Sequence, residues 1–141
     1  MLTSSQNLEP GYLSRLGWEE MSPLELNQIM PQDKAINTPR PLDPAANSFL
    51  QVDQPNVVLV TWKAAEDGRG TVMRFLEIGG KSSTVNVQTG LLNVKSAWSS
   101  GALERKQGPL AISAHGFTFG VKPFQIVTVR LDGEPAVAAA E

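Results

Sequence analysis

Two adjacent carboxylates, Glu66 and Asp67, are the residues of this sequence whose types most directly suggest catalysis. A pair of acidic side chains can hydrolyse a glycosidic bond, with one acting as acid/base and the other as nucleophile. These two residues, however, begin the sequence Glu-Asp-Gly-Arg-Gly, which is typical of a hairpin turn. Adjacent side chains at such a turn usually point in different directions, so we interpret both as solvent-exposed turn residues.

The single histidine, His115, could act as a general base or as a metal ligand. The chain has no second histidine and no cysteine, which excludes disulfides, thiolate metal sites and cysteine nucleophiles. His115 also lies in the sequence Ser-Ala-His-Gly, which favours a turn. We therefore interpret it as a polar turn residue, and we assign no catalytic, cofactor-binding or metal-binding residue in this chain.

The segment Gly80-Lys81-Ser82 has the residues that end a phosphate-binding loop. Such a loop needs another glycine five positions before the final glycine, where this chain has Phe75, and it needs a helix directly after it. Residues 83–88 alternate between polar and apolar side chains, as a strand does. We therefore reject a nucleotide-binding loop.

Three tryptophans and one pair of opposite charges remain as candidates. Trp62 and Trp98 fall within predicted strands, where a place in the core competes with a sugar-stacking surface. Trp18 precedes the strands and could anchor the N-terminal segment on the body or on a partner. Arg74 and Glu77 interrupt an apolar strand and could form an ion pair at a packing edge. We treat these five residues and the two acidic turn residues as candidate structural or interface residues.

The composition is that of a globular chain. Its 141 residues are 41% hydrophobic and 18% charged, which argues against general disorder. The formal net charge of -2 shows no basic excess that would favour nucleic acid or an anionic membrane. No apolar run approaches the roughly 20 residues that cross a bilayer, and the first ten residues lack the pattern of a secretory signal. We expect a cytoplasmic protein with no nucleic-acid or membrane partner.

Proline divides the chain into an arm and a body. Seven of the ten prolines lie in the first 55 residues, and each fixes φ and removes a backbone donor. We predict that residues 1–47 form an extended, loop-rich, proline-rich arm that packs on the body, with one or two short elements. Residues 48–133 are predicted to form the body, and residues 134–141 a disordered tail. The sequence Ser-Pro-Leu-Glu at 22–25 fits a helix capping box, and a short helix that would end at Pro31 competes with a short strand around Leu24–Leu26.

The body has the pattern of an all-β fold. Strand-like runs rich in Val, Thr and aromatic residues alternate with Gly and Pro turn signals at spacings of roughly 8–12 residues. Within one run, Val94, Ser96 and Trp98 are expected on one face and Lys95 on the other. We predict an antiparallel β-sandwich of about seven to nine strands. The runs are residues 56–64, 71–78, 83–88, 93–98, 110–113, 117–121 and 124–131.

Six short motifs of the body carry a family resemblance in their order and spacing. They are Ser-Phe-Leu-Gln-Val-Asp at 48–53, Asn-Val-Val-Leu at 56–59, Lys-Ala-Ala-Glu-Asp-Gly at 63–68, Arg-Phe-Leu-Glu at 74–77, Val-Lys-Ser-Ala-Trp at 94–98 and Lys-Pro-Phe-Gln-Ile-Val-Thr-Val-Arg-Leu at 122–131. The series resembles the C-terminal β domain of α-mannosidases of glycoside hydrolase family 38. Gln125 stands where that family commonly has glutamate, and Phe75-Leu76 where it commonly has Leu-Tyr.

The resemblance implies a supporting role for this chain. Enzymes of the family are retaining exo-mannosidases whose metal ion, usually zinc, and catalytic carboxylates lie in an N-terminal β/α domain that a helical domain follows. Nothing here matches those N-terminal motifs, so no catalytic residue is carried over, and zinc is expected only in the missing catalytic domain. The implied partners are the catalytic and helical domains, on which the sandwich packs. Self-association through an exposed docking face is the alternative.

Two other classes of function stay open from the sequence. A stand-alone carbohydrate-binding module would need an exposed aromatic side chain on a concave sheet face. A small independent enzyme would need a pocket with converging polar groups. A docking domain predicts instead an exposed apolar patch on the order of several hundred Å².

Overall fold

The computed structural model describes residues 10–21, 48–90, 92–113 and 115–135. Within these ranges the chain forms one helix and nine strands, and every strand pair is antiparallel. No helix among the described residues has both the length and the apolar composition to cross a bilayer. The elements are α1 (Pro10–Met21), β1 (Leu50–Val52), β2 (Val57–Ala64), β3 (Thr71–Glu77), β4 (Ser83–Thr89), β5 (Leu92–Ser100), β6 (Lys106–Pro109), β7 (Ala111–Ser113), β8 (Gly116–Val121) and β9 (Ile126–Pro135).

The strands are arranged in two sheets. One has four strands in the order β1-β4-β8-β7, and the other has five in the order β2-β3-β9-β5-β6. Each sheet joins strands that are distant in the sequence, such as β3 with β9 and β4 with β8. The predicted antiparallel β-sandwich is therefore confirmed, with a strand number at the upper end of the expected range.

The hydrophobic core lies between the two sheets and follows from the alternation of side chains along the strands. Phe75 of β3 meets two aromatic rings of β8, with ring centroids 6.1 Å from Phe117 and 5.0 Å from Phe119. Because β3 and β8 belong to different sheets, these three rings connect the layers directly. The other core residues are aliphatic side chains and one methionine: Val57, Met73, Val85, Val87, Val94, Ala97, Val121, Val127, Val129 and Leu131.

Two glycines of β8 differ in how closely the neighbouring backbone approaches them. A Cβ atom at Gly116 would lie 2.3 Å from the carbonyl oxygen of Val87 in β4, whereas a Cβ atom at Gly120 would meet nothing within 4 Å. Urea unfolding should therefore show that Gly116→Ala lowers the free energy of unfolding by about 2 kcal/mol, because a backbone clash forces the sheet to shift. Gly120→Ala is the matched control and should change it by less than about 0.5 kcal/mol. Equal effects would contradict this description of the β4–β8 pair.

Residues 10–21 form α1, a helix of twelve residues within the segment for which an extended arm with one or two short elements was predicted. Pro10 is tolerated at the first helical position because the N–H that it lacks has no partner within a helix. The next proline is Pro23, so the argument from proline density does not apply to the twelve residues of α1. The rest of the arm, including the helix expected before Pro31 and the rival strand around Leu24–Leu26, lies outside the described residues.

The disordered tail was predicted to begin at residue 134. That start is wrong, because Glu134 and Pro135 continue β9 and pair with Asn93 and Leu92 of β5. Gly133 makes this continuation possible, since a Cβ atom there would lie 2.7 Å from the carbonyl oxygen of Asn93. The remaining tail residues lie outside the described part of the chain.

A bulge in β5 overturns the face expected for Trp98. The pairing skips a residue between Val94, which is opposite Gly133, and Ser96, which is opposite Asp132. An extra residue in a strand moves the following side chains to the other face. Val94 therefore lies in the core, whereas Ser96 and Trp98 lie on the outer face of the five-stranded sheet.

Candidate functional site

The outer face of the five-stranded sheet is covered by the loop 101–105, which connects β5 to β6. Two arginines of the sheet hold this loop by its backbone. Arg74 of β3 donates to the carbonyl oxygen of Ala102 at 3.2 Å, and Arg130 of β9 donates to that of Glu104 at 3.3 Å. We call the charged groups gathered here the Glu104 cluster; its members are Lys63, Glu66, Asp67, Arg69, Arg74, Glu104 and Arg130.

Glu104 is the central carboxylate of the Glu104 cluster and is only 5% exposed. It accepts hydrogen bonds from Lys63 Nζ at 2.7 Å and from the backbone N–H of Glu66 at 2.9 Å, and Arg74 Nη2 lies 3.7 Å away. Lys63 and the Glu66 N–H hold the pKa of Glu104 below its usual range. Its φ of +61° is a strained conformation for a residue with a Cβ atom. The ion pair therefore holds a strained loop residue against the sheet.

Asp67 and Arg130 connect the β2–β3 turn to β9. Both carboxylate oxygens of Asp67 accept from Arg130 Nη2 at 2.7 Å, and the same nitrogen donates to the carbonyl oxygen of Arg69 at 2.8 Å. Arg130, followed by the backbone N–H of Arg69, lowers the pKa of Asp67. Arg130 is buried, and its Nε atom has no partner among the described residues. The contact joins residues 63 positions apart in the chain.

A second group of polar contacts surrounds Trp98 beside the Glu104 cluster. Asp132 accepts from Lys106 Nζ at 2.7 Å and from Ser96 Oγ at 3.0 Å, and Lys106 is the main cause of the lowered pKa of Asp132. The Lys106 ammonium lies 5.3 Å from the centre of the Trp98 ring, and Trp98 Nε1 donates to Ser96 Oγ at 3.3 Å. This cation–π contact occupies one face of the indole.

Glu77 is fully buried at the opposite end of β3 and accepts four hydrogen bonds. Oε1 accepts from Asn56 Nδ2 at 2.8 Å and Gly79 N–H at 2.7 Å, and Oε2 accepts from the N–H groups of Gly80 and Phe124 at 2.8 Å each. Burial alone would raise the pKa of Glu77, but the bonds from Phe124, Asn56 and Gly79 outweigh it and lower the pKa to about 2. One carboxylate thus joins the start of β2, the β3–β4 turn and the β8–β9 turn.

The Glu104 cluster contains three of the seven residues that the sequence singled out. Glu66 pairs with Lys63, Asp67 with Arg130, and Arg74 lies near Glu104. Trp98 lies beside the cluster, in contact with Lys106.

The other three candidate residues lie elsewhere. Glu77 is in its own buried site, Trp18 is exposed on α1, and Trp62 is 38% exposed on the edge strand β2. The proposed Arg74–Glu77 ion pair is wrong, because residues three apart in a strand point to opposite faces. Neither Trp62 nor Trp98 belongs to the core, so that interpretation of the strand tryptophans is also wrong.

Sequence reasoning missed Lys63, Glu104 and Arg130, which hold the cluster together. The sequence could have indicated a paired role for Arg130, because a charged residue within an apolar strand is either exposed or paired when buried. It could not have indicated such a role for Glu104, since the sequence Ala-Leu-Glu-Arg around it is that of an ordinary loop. Its role depends on how the loop folds back over the sheet.

The described residues contain no group of three Asp, Glu, His or Cys side chains placed to hold a metal ion. The described side chains therefore do not form a site for zinc, which the family resemblance assigns to a catalytic domain. His115 is exposed in the turn before β8, and its carbonyl oxygen accepts the N–H of Thr89 at 2.7 Å. It takes part in the structure through its backbone, as expected for a turn residue.

Residues 56–129 match the family model described as the glycosyl hydrolases family 38 C-terminal beta sandwich domain. The match covers just over half of the 141 residues. The chain belongs to this family. No curated protein matches the chain.

The six sequence motifs indicated this family, and the structure shows the β-sandwich that the family 38 C-terminal domain is described as having. Membership implies association with the catalytic domains of a glycoside hydrolase. The matched residues begin at Asn56, which binds the buried Glu77, and end at Val129 in the core, next to Arg130. They therefore include most of the residues that hold the two sheets and their turns together.

Proposed function

We propose that this chain is the non-catalytic C-terminal β-sandwich of a retaining α-mannosidase, and that it packs on and stabilises the catalytic and helical domains of the enzyme. Family membership supports the link to a glycoside hydrolase. The non-catalytic role is supported by the carboxylates of the matched strands and loops, because these groups are bound by partners within the domain.

Retaining hydrolysis needs two carboxyl groups about 5 Å apart, open to the sugar from both sides. Glu77 is fully buried, and its oxygens accept four hydrogen bonds. Glu104 is almost as buried and is bound by Lys63, while both oxygens of Asp67 face Arg130. The two buried carboxylates therefore offer no nucleophilic oxygen to a substrate, and both oxygens of the more exposed Asp67 are engaged by the same Arg130 nitrogen.

Exposed apolar side chains support the packing role. Ile126 of β9 is 62% exposed and lies opposite Leu76 of β3, and the nearby Phe124 is 72% exposed. Exposing large apolar side chains close together is unfavourable in water unless another surface covers them. In this proposal the catalytic part of the mannosidase covers this end of the five-stranded sheet.

The test uses a family 38 α-mannosidase from which the sandwich equivalent to residues 56–129 has been deleted. Sedimentation velocity should show a one-to-one complex with this chain, and the Tm of the truncated mannosidase should rise by about 5 °C or more on mixing, as expected when a partner binds only the folded state. Ile126→Thr should weaken the complex about tenfold or more. Ile112→Thr, which alters an exposed isoleucine of the other sheet, should leave it unchanged. Absence of both the complex and the stabilisation would refute the packing role.

A further inference from the structure

The two sheets differ in charge. Strands β1, β4, β7 and β8 of the four-stranded sheet contain no Asp, Glu, Lys or Arg, whereas the five-stranded sheet carries the Glu104 cluster on its outer face. The register of the four-stranded sheet places small and neutral polar residues on the outward side. These residues are Gln51, Thr84, Asn86, Gln88, Ala111, Ser113, Thr118 and Gly120.

An open groove of about 700 Å³ lies along β1 and β4 on this neutral side. Its volume falls within the range typical of small-molecule sites. Amide and carboxylate groups supply its polar part, and two aliphatic residues of β1 supply its apolar part. The lining residues are Leu50, Gln51, Val52, Asp53, Asn86 and Gln88.

One end of the groove is preorganised by hydrogen bonds. Asp53 accepts from the backbone N–H of Asn86 at 2.9 Å and from its Nδ2 at 2.7 Å, and Asn86 Oδ1 accepts from Thr118 Oγ1 at 2.9 Å. The Asn86 N–H is the main cause of the lowered pKa of Asp53, which therefore stays a carboxylate and an acceptor at neutral pH. The Asn86 amide is thus fixed in orientation before any ligand arrives.

The centre of the groove offers two amides that face solvent. Gln51 and Gln88 lie opposite each other, both are exposed, and neither side chain makes a hydrogen bond within the described part of the chain. Each amide can donate and accept at once, which is what a sugar hydroxyl requires of a partner. Together they form a pair of hydrogen-bonding groups with no competing internal contact among the described residues.

An aromatic side chain stands at the other end of this row. Phe49 is 56% exposed and precedes β1, and its carbonyl oxygen accepts the N–H of Gly90 at 3.1 Å, which extends the β1–β4 ladder by one pair. Because this pair continues the ladder, we expect alternation to place Phe49 on the same side as Gln51, just beyond the residues that line the groove. A ring next to two amides offers an apolar face for the C–H side of a sugar and polar groups for its hydroxyls.

From this arrangement we propose that the outer face of the β1–β4 pair binds a neutral oligosaccharide, with Phe49 stacking on one sugar ring and Gln51, Gln88 and the Asp53–Asn86 pair binding hydroxyls. A neutral ligand fits because none of the four strands has a cation to pair with a phosphate or a carboxylate. The inference goes beyond the proposed function and does not depend on it.

The test is a titration of the ¹⁵N-labelled chain, followed by two-dimensional NMR, with α-linked mannotetraose, maltotetraose and tetragalacturonic acid. At least one neutral tetrasaccharide should shift the amide signals of residues 49–53 and 86–90, and the acidic one should not. The double variant Gln51→Ala/Gln88→Ala should weaken binding about tenfold or more, since it removes hydrogen bonds to hydroxyls. Gln107→Ala, an exposed glutamine of β6, is the matched control and should bind as the unaltered chain does. Thermal unfolding verifies that all the variants fold.

Three results would overturn the proposal. The first is that no amide signal shifts at a sugar concentration of about 10 mM, where even a weak site is well occupied. The second is a set of shifted signals on another face, and the third is equal binding of the acidic sugar. A footprint of the truncated mannosidase on residues 49–53 and 86–90, without any sugar shift, would show that the groove is a protein contact. Formation of the mannosidase complex is measured separately, so failure of this proposal and failure of the packing role are distinguishable.

Discussion

Replacing Glu77 by alanine is expected to lower the Tm of the domain by more than about 15 °C, because the change leaves several buried donors without an acceptor. The unpaired groups would be the amide of Asn56 and the N–H groups of Gly79, Gly80 and Phe124. A cavity at the same place adds to the loss. Thermal unfolding followed by circular dichroism measures the effect.

Glu134→Ala is the matched control, because Glu134 is an exposed acid whose partner is the exposed Lys95. Its loss should change the Tm by less than about 3 °C. Glu77→Gln keeps the shape of the side chain but presents an NH₂ group to N–H donors, so its Tm should lie between those of the other two variants. If Glu77→Ala and Glu134→Ala unfolded at the same temperature, Glu77 would not join the start of β2 to the two turns as described.

The second large effect is acid unfolding. The pKa of Glu77 is lowered to about 2, and the pKa values of Asp67, Glu104, Asp132 and Asp53 are also lowered. A carboxyl group whose pKa is lower in the folded chain binds protons more readily when the chain is unfolded. Its stabilisation is therefore complete above the unfolded pKa of about 4 and is lost as the pH falls towards the folded value.

The free energy of unfolding should thus change little between about pH 7 and 5 and fall steeply from about pH 4.5 to 2. Urea unfolding at a series of pH values measures the slope. In Glu77→Gln the slope should be shallower, because a group whose folded pKa is lowered to about 2 no longer titrates. A stability that stayed constant from about pH 5 to 2 would contradict the assignment of these carboxylates to internal contacts.

Local sequence patterns predicted the strands well where the alternation was regular. In β8, Phe117, Phe119 and Val121 are buried as expected, and the positive φ at Gly68 and Gly70 confirms the turn between β2 and β3. These features depend on neighbouring residues alone, so a single sequence contains the information for them.

Features that depend on distant pairing were not predictable. The short strand β6 has little strand propensity in Lys-Gln-Gly-Pro and exists because it pairs with β5. The bulge between Val94 and Ser96 moves Trp98 to the outer face, and nothing in the local alternation indicates it. Such tertiary effects override the local pattern.

The candidate site likewise combines features that the local sequence predicts with features that depend on distant pairing. Glu66 and Asp67 were correctly placed in a turn, but the partner of Asp67 is Arg130, which lies 63 residues away and only meets it once β3 and β9 pair. The positive φ of Glu104 likewise follows from its contact with Lys63 and the loop that Arg130 holds. The sequence contains the charges, and the sheet order decides which of them meet.

We propose that the ionisable groups of this domain stabilise the sandwich, while hydrolysis of mannosides occurs in another domain. The most direct test is the turnover of an aryl α-mannoside by the purified chain with added zinc. We predict no release of the aryl group above that of buffer with zinc. Zinc-dependent turnover by the unaltered chain that Glu66→Ala or Asp67→Ala abolishes, without a change in Tm, would contradict the account.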